Sequence, residues 1–158
     1  MSVTVISDLG RTMYEYRCKV NHIVDGDTVD VDIDLGFGVW MHKERIRMYG
    51  IDTPESRTRD LEEKKYGLAA KKFLTEMLND PKGLTLKTSK DATGKYGRIL
   101  GEIWRTSNYS NQSINQFMID KHHAVAYFGQ SKQDIAEQHL LNRQHVQTEL
   151  SEFKLTED

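Results

Sequence analysis

Several chemistries are excluded by what this chain lacks. Cys18 is the only cysteine in 158 residues, so no intrachain disulfide is possible and no thiolate zinc site can be built from it alone. With only two prolines and no low-complexity tract or internal repeat, nothing marks a linker between domains. No apolar run approaches the roughly 20 residues that cross a bilayer. The start "MSVTVISDLGRTMYEYR" has neither the basic opening nor the apolar stretch of a secretion signal, so a cytoplasmic protein without membrane attachment is expected. Positive charge is not in excess either: 22 Lys and Arg face 24 Asp and Glu, a net charge of −2, and the molecule as a whole does not attract polyanions. The six histidines show no zinc-ligand spacing and read as structural or surface residues.

What is present is uneven. Residues Ser56 to Lys72 carry six basic and three acidic side chains, and Lys82 to Arg98 carry five against one. Such segments suit a phosphate-bearing partner, although they also suit a solvated face. Strand signals fill the first third: "YEYRCKVNHIV" (Tyr14 to Val24), the alternating "DTVDVDIDL", a turn at "GFG" (Gly36 to Gly38), then "VWMHKERIRMYGI" as a third strand. A helix follows to about Asn79, with Ala69, Ala70, Phe73, Leu74, Met77 and Leu78 as its buried stripe. "GLTLKTS" and "GRILGEIWR" read as two further strands. A short helix carrying Ile114, Phe117 and Met118, capped by Ser110 or Asn111, and a last helix over residues 133–150 complete the chain. The expected architecture is α+β, a mainly β fold in which a five-stranded barrel is packed by helices. It forms a single domain over residues 13–150, between an N-terminal arm (1–12) that is loose or adds a short strand and an acidic C-terminal tail (151–158).

Five aspartates lie between Asp25 and Asp34, and parity divides them. Asp27 shares the face of Val29, Val31 and Ile33, which turns inward; Asp30, Asp32 and Asp34 point to water. Asp25 has the parity of Asp27, but a bulge at Asp25-Gly26 leaves its direction open. An EF-hand loop starting at Asp30 is excluded, because Leu35 stands at the glycine position and Met41 at the bidentate glutamate position. An inward carboxylate needs a cation. "IDTPE" (Ile51 to Glu55) reads as a helix start with Asp52 or Thr53 as cap, a setting that also fixes a carboxylate and a free carbonyl. Arg47 and Arg98 stand at strand ends near short glycine-containing turns. Two arginines with three or four carboxylates suit phosphodiester hydrolysis: a hard cation on oxygen ligands, a carboxylate base for water, and guanidiniums on the phosphate.

The segments "VDGDTV", "RMYGIDTPE", "KYG" at Lys65 to Gly67, "GKYGR" at Gly94 to Arg98, "AVAY" at Ala124 to Tyr127 and "EQHL" at Glu137 to Leu140 occur in an order and spacing that closely resembles the staphylococcal nuclease (thermonuclease) family. The resemblance covers roughly Lys19 to Val146. It implies a five-stranded OB-fold barrel with three packed helices and a Ca²⁺-dependent endo- or exonuclease acting on DNA and RNA, with single strands favoured, that leaves 3′-phosphate ends. It also implies that Asp27 and Asp52 are side-chain metal ligands, that Thr53 supplies a backbone carbonyl, and that Asp25 stands behind them as an acidic neighbour of the metal. By the same resemblance Glu55 is the general base, Arg47 and Arg98 hold the phosphate and stabilise the transition state, and Lys95, Tyr96 and Tyr127 contact the nucleotide. Gly129 departs from the family pattern where a second tyrosine is expected, and "SRTRDLEEKK" replaces a more basic, less helical loop. A rival expectation is a nucleic-acid-binding OB-fold module with little catalysis; such a module should have lost some of Asp27, Arg47, Asp52, Glu55 and Arg98, and all five are here. A calcium-binding structural domain would leave both arginines unexplained. A monomer is expected.

Overall fold

Alternating apolar residues in the first third, each with one face to bury, can do so only by pairing strands around a shared interior. The computed structural model describes residues 3–6, 12–93, 98–107 and 112–157. Strands β2 (Thr12–Asp25), β3 (Thr28–Asp34) and β4 (Trp40–Met48) form the expected antiparallel meander. β4 then runs parallel to β7 (Ile99–Arg105), β7 pairs antiparallel with β6 (Leu84–Thr93), and β6 returns to β2, closing a five-stranded mixed barrel of OB-like α+β type. The short β1 (Val3–Ile6) is added to the edge of β2, the added-strand alternative for the arm. Helices α1 (Leu61–Leu78), α2 (Ile114–Asp120) and α3 (Lys132–Glu157) pack outside, and β5 (Ile51–Asp52) pairs with β8 (Val125–Ala126) in a separate two-stranded sheet. None of the helices among the described residues is long and apolar enough to cross a membrane.

The barrel interior holds Val29, Val31, Ile33, Ile46, Met48, Leu86 and Ile103, and α1 and α2 cover it with Ala70, Leu74, Ile114 and Met118. Parity therefore predicts the core of β3 correctly. Cys18 belongs to this core, and burial pushes its thiol up to about 12, which leaves it protonated and unreactive.

Five local expectations change. The third strand stops at Met48 rather than continuing through Ile51, because Gly50 takes a left-handed φ of 79° and turns the chain out of the barrel wall. "IDTPE" does not open a helix: α1 begins at Leu61, and Asp60 is its cap, accepting from the backbone N–H groups of Glu62 and Glu63. The N-cap of α2 is Ser113, which accepts from the Gln116 N–H. β6 extends to Thr93 and α3 to Glu157, both past their expected ends.

Candidate functional site

Three segments meet at one end of the barrel: the β2–β3 turn, the end of β4, and the loop leading from β5 to α1. The turn is bulged, with a register shift between Ile23 and Asp25, and this brings Asp25 and Asp27 both inward, 8% and 9% exposed. The Asp27 carboxylate accepts from the Thr28 hydroxyl at 2.9 Å and from the Thr53 N–H at 3.2 Å, so it ties the turn to the β5–α1 loop. Asp25 does the same one step on, accepting from the Ser56 N–H at 3.3 Å. The outward aspartates are also engaged: Asp30 receives the Arg45 side chain at 2.9 Å, and Asp32 accepts from Asn21 and the Lys43 N–H.

Arg47 reaches across this junction. Its Nη2 lies 3.3 Å from Asp27 Oδ2 and 3.7 Å from Asp52 Oδ1, while Nη1 donates to the Met48 carbonyl at 3.0 Å. Because one nitrogen reaches both carboxylates, the two carboxylates converge on a common point. Burial pushes the Asp27 carboxyl above its ordinary value; Arg47, Thr28 and Thr53 pull against this, and the charge on Asp52 adds a smaller push. Glu55, at the rim, is raised as well, first by burial and then by the negative field of Asp25, Asp27, Glu63 and Asp52.

Loop 53–56 is held close to α1 by a missing side chain. A methyl group on Gly67 would run into the backbone of Glu55 and Ser56, so glycine at this helical position lets Glu55 lie against the first turns of α1. Asn115 of α2 fixes the other wall: it donates to the Tyr49 carbonyl at 2.8 Å and the Gly101 carbonyl at 3.2 Å, and accepts from the Ile103 N–H. Beyond Arg47 opens a cleft of about 670 Å³ lined by Arg47, Asp52, Arg98, Tyr49, Tyr127 and Lys132, among others. Sequence reasoning assigned Tyr127 to this region, and it is here; Lys95 and Tyr96 lie outside the described residues. Tyr49 and the neighbouring Phe128, exposed aromatics on the same cleft, were not anticipated.

The histidines are not all bland. His139 of α3 approaches Asp52 Oδ2 through Nε2 at 2.7 Å, and its side chain is 13% exposed. A carboxylate only accepts, so Nε2 carries the proton of this bond. No spacing rule could pair residues this far apart in the chain.

Among the described residues no three His, Cys, Asp or Glu side chains converge as a metal cage. An imidazole- or thiolate-rich site is thereby left without a ligand set here. Two carboxylates that share a point suit a hard cation completed by a backbone carbonyl, water and phosphate oxygens. The buried hydroxyls of Thr53 and Ser56, both without a hydrogen-bond partner among the described residues, keep the floor of this loop polar. The donor set is all oxygen and fits such an ion.

Comparison with known proteins identifies the family. Residues 45–149 match the family described as Staphylococcal nuclease homologue. The chain is 33% identical to the thermonuclease of Staphylococcus intermedius over 85 residues, 54% of this chain and 46% of that protein. It is 31% identical to the thermonuclease of Staphylococcus hyicus over 100 residues, 63% of this chain and 55% of that protein. Endonuclease YhcR of Bacillus subtilis is 26% identical over 119 residues, which cover 72% of this chain but 9% of that protein. The chain thus spans about half the length of the two thermonucleases it matches.

Proposed function

The chain belongs to the staphylococcal nuclease family, and from that premise we propose that it is a Ca²⁺-dependent nuclease that hydrolyses phosphodiester bonds of single-stranded DNA and RNA, leaving 3′-phosphate ends. The observation that carries the reading is the convergence of Asp27 and Asp52 on Arg47 beside a cleft that also contains Arg98. Asp27 and Asp52 would hold the cation with the carbonyl of Thr53, with Asp25 behind them. When bound, the ion polarises a phosphate oxygen and offsets the negative charge of the paired carboxylates.

The protein groups do the rest. Glu55 takes a proton from the attacking water. The water oxygen bonds to phosphorus as the bond to the 5′ oxygen breaks, and the departing oxygen takes a proton from solvent. Arg47 and Arg98 meet the charge that grows on the phosphoryl oxygens; neither guanidinium gives up its own proton readily. Tyr127, with Lys95 and Tyr96, contacts the nucleotide, and an unpaired strand can lay its bases on exposed aromatic rings. One chain contains every group named, so a monomer suffices.

The test is cleavage of labelled single-stranded DNA. Purified protein should cut it with Ca²⁺ and stop on addition of chelator, and Glu55→Gln and Arg98→Ala should each lower the rate by roughly 10² to 10⁴. DNA that is bound but left intact in excess Ca²⁺, from neutral to alkaline pH, would replace this reading with that of a binding module.

A further inference from the structure

The site as proposed uses Asp52 but does not say what holds it. Asp52 lies on β5, a two-residue strand that, among the described residues, pairs with the two residues of β8, a slight support for a side chain that must meet a cation. Its carboxylate has two oxygens with different surroundings. Oδ1 faces the Arg47 guanidinium at 3.7 Å, whereas Oδ2 meets His139 Nε2 at 2.7 Å. The imidazole is mostly buried, although it stands on α3, whose neighbouring residues Leu140 and Leu141 are 57% and 54% exposed. On the same helix face, one turn and two turns earlier, Ile135 and Lys132 line the active-site cleft. Asn142 extends the docking by donating to the Ala124 carbonyl next to β8. Helix α3 is thus fastened to β8 and, through His139, to the carboxylate on β5.

We propose that His139 is a positioning residue: its Nε2–H occupies Oδ2 of Asp52 and fixes the rotation of the carboxylate, leaving Oδ1 directed at the point shared with Asp27. The inference rests on the metal-assisted reading of the site. A carboxylate free to rotate about its terminal bond presents a broad range of orientations, and a hydrogen bond from a group fixed on another element removes that freedom. The role requires only a donor at this place, not a charge on the ring. It gives α3 a function for the site besides lining the cleft.

The test compares His139→Leu, which keeps bulk and removes the donor, with His139→Gln, which keeps an N–H donor of similar reach; alanine replaces leucine should the leucine variant fail to fold. Ca²⁺ alone is titrated into each folded protein by calorimetry without nucleic acid, and unfolding temperature and ssDNA cleavage are measured alongside. The leucine variant should bind Ca²⁺ about 10 to 100-fold more weakly, the range typical for loss of an outer partner of a metal ligand, with glutamine recovering most of that loss. Unfolding temperatures of the two should be similar. Equal Ca²⁺ affinity in the leucine variant and wild type, or equal losses in leucine and glutamine, would overturn the assignment while wild-type cleavage still stands. Wild-type protein that neither binds Ca²⁺ nor cleaves would remove the underlying reading, and this inference with it.

Discussion

At the scale of single residues, the site is a contest between desolvation and charge. Asp27 is almost fully buried, and burial outweighs the pull of Arg47, so its carboxyl is held above its usual range. Glu55 shares that fate with less burial and more like-charge repulsion. In chelator, the Glu55 side-chain carboxyl followed by carbon-detected NMR should therefore titrate above its ordinary value of 4.5. Asp25→Asn and Asp27→Asn should each move it down, because each removes a negative neighbour. A midpoint at the ordinary value in the unmodified protein would show that the acidic cluster does not reach Glu55. Period-two alternation made Asp27 legible in the sequence, since its parity is that of Val29 and Val31 and a strand has only two faces. The partner of His139 was not legible: the ring lies in the "EQHL" segment, but its bond to Asp52 crosses 87 residues and no local pattern joins the two.

At the scale of elements, the loop between β5 and α1 shows how a local signal can be right in chemistry and wrong in structure. Asp52, Thr53 and Pro54 have the composition of a helix start, yet the helix waits until Leu61, because a better cap stands at Asp60 and the intervening backbone is tied to Asp25 and Asp27 instead. The device that keeps this loop in place is Gly67, seven residues into α1. Gly67→Ala ought to raise helix propensity by about 1 kcal/mol, but the methyl group would push against the Glu55 backbone, an overpacking cost of about 1 to 3 kcal/mol. The expected net result is a protein of equal or lower stability in urea titration with a disproportionate loss of cleavage, as Glu55 is displaced. Unchanged cleavage would mean that the loop moves without consequence. The helix stripe of α1 was readable from its spacing; this contact was not, because it joins backbone to backbone and leaves no pattern in residue types.

For the whole molecule, closure of the barrel was readable from the order of elements, because three strands, a helix, two strands and two helices have few ways to bury one sheet face. The turn of the chain into β5 at Gly50 and its pairing with β8 were not, since two-residue strands lie below any pattern. Acid stability is a property at this scale. His123, between α2 and β8, is buried and stacked on Phe73 at 4.8 Å, and burial, helped by His122, lowers its pKa from 6.5 to about 4. A depressed histidine favours the folded state fully above the unfolded pKa and loses that contribution as pH falls from 6.5 toward about 4, because the unfolded chain takes up the proton first. The loss is on the order of 3 kcal/mol. Asp27 and Glu55, raised rather than lowered, change stability in the opposite sense over acidic pH. Urea unfolding of His123→Phe should show a shallower decline than the parent between these pH values; parallel curves would mean that the ring ionises within the fold.

The pairing of β5 with β8 has a consequence in time. A ribosome delivers the chain from its N-terminus, and every strand of the barrel has been made once Arg105 has emerged. Asp27, Arg47, Asp52 and Glu55 are all in that first part, but β8 at Val125–Ala126 and His139 on α3 are not. The groups that fasten Asp52 are made after all of these. A nascent chain therefore carries Asp27, Arg47, Asp52 and Glu55 past the ribosome's own RNA before β8 and His139 exist, and the order of synthesis itself leaves Asp52 without these two partners until residue 139 has been made.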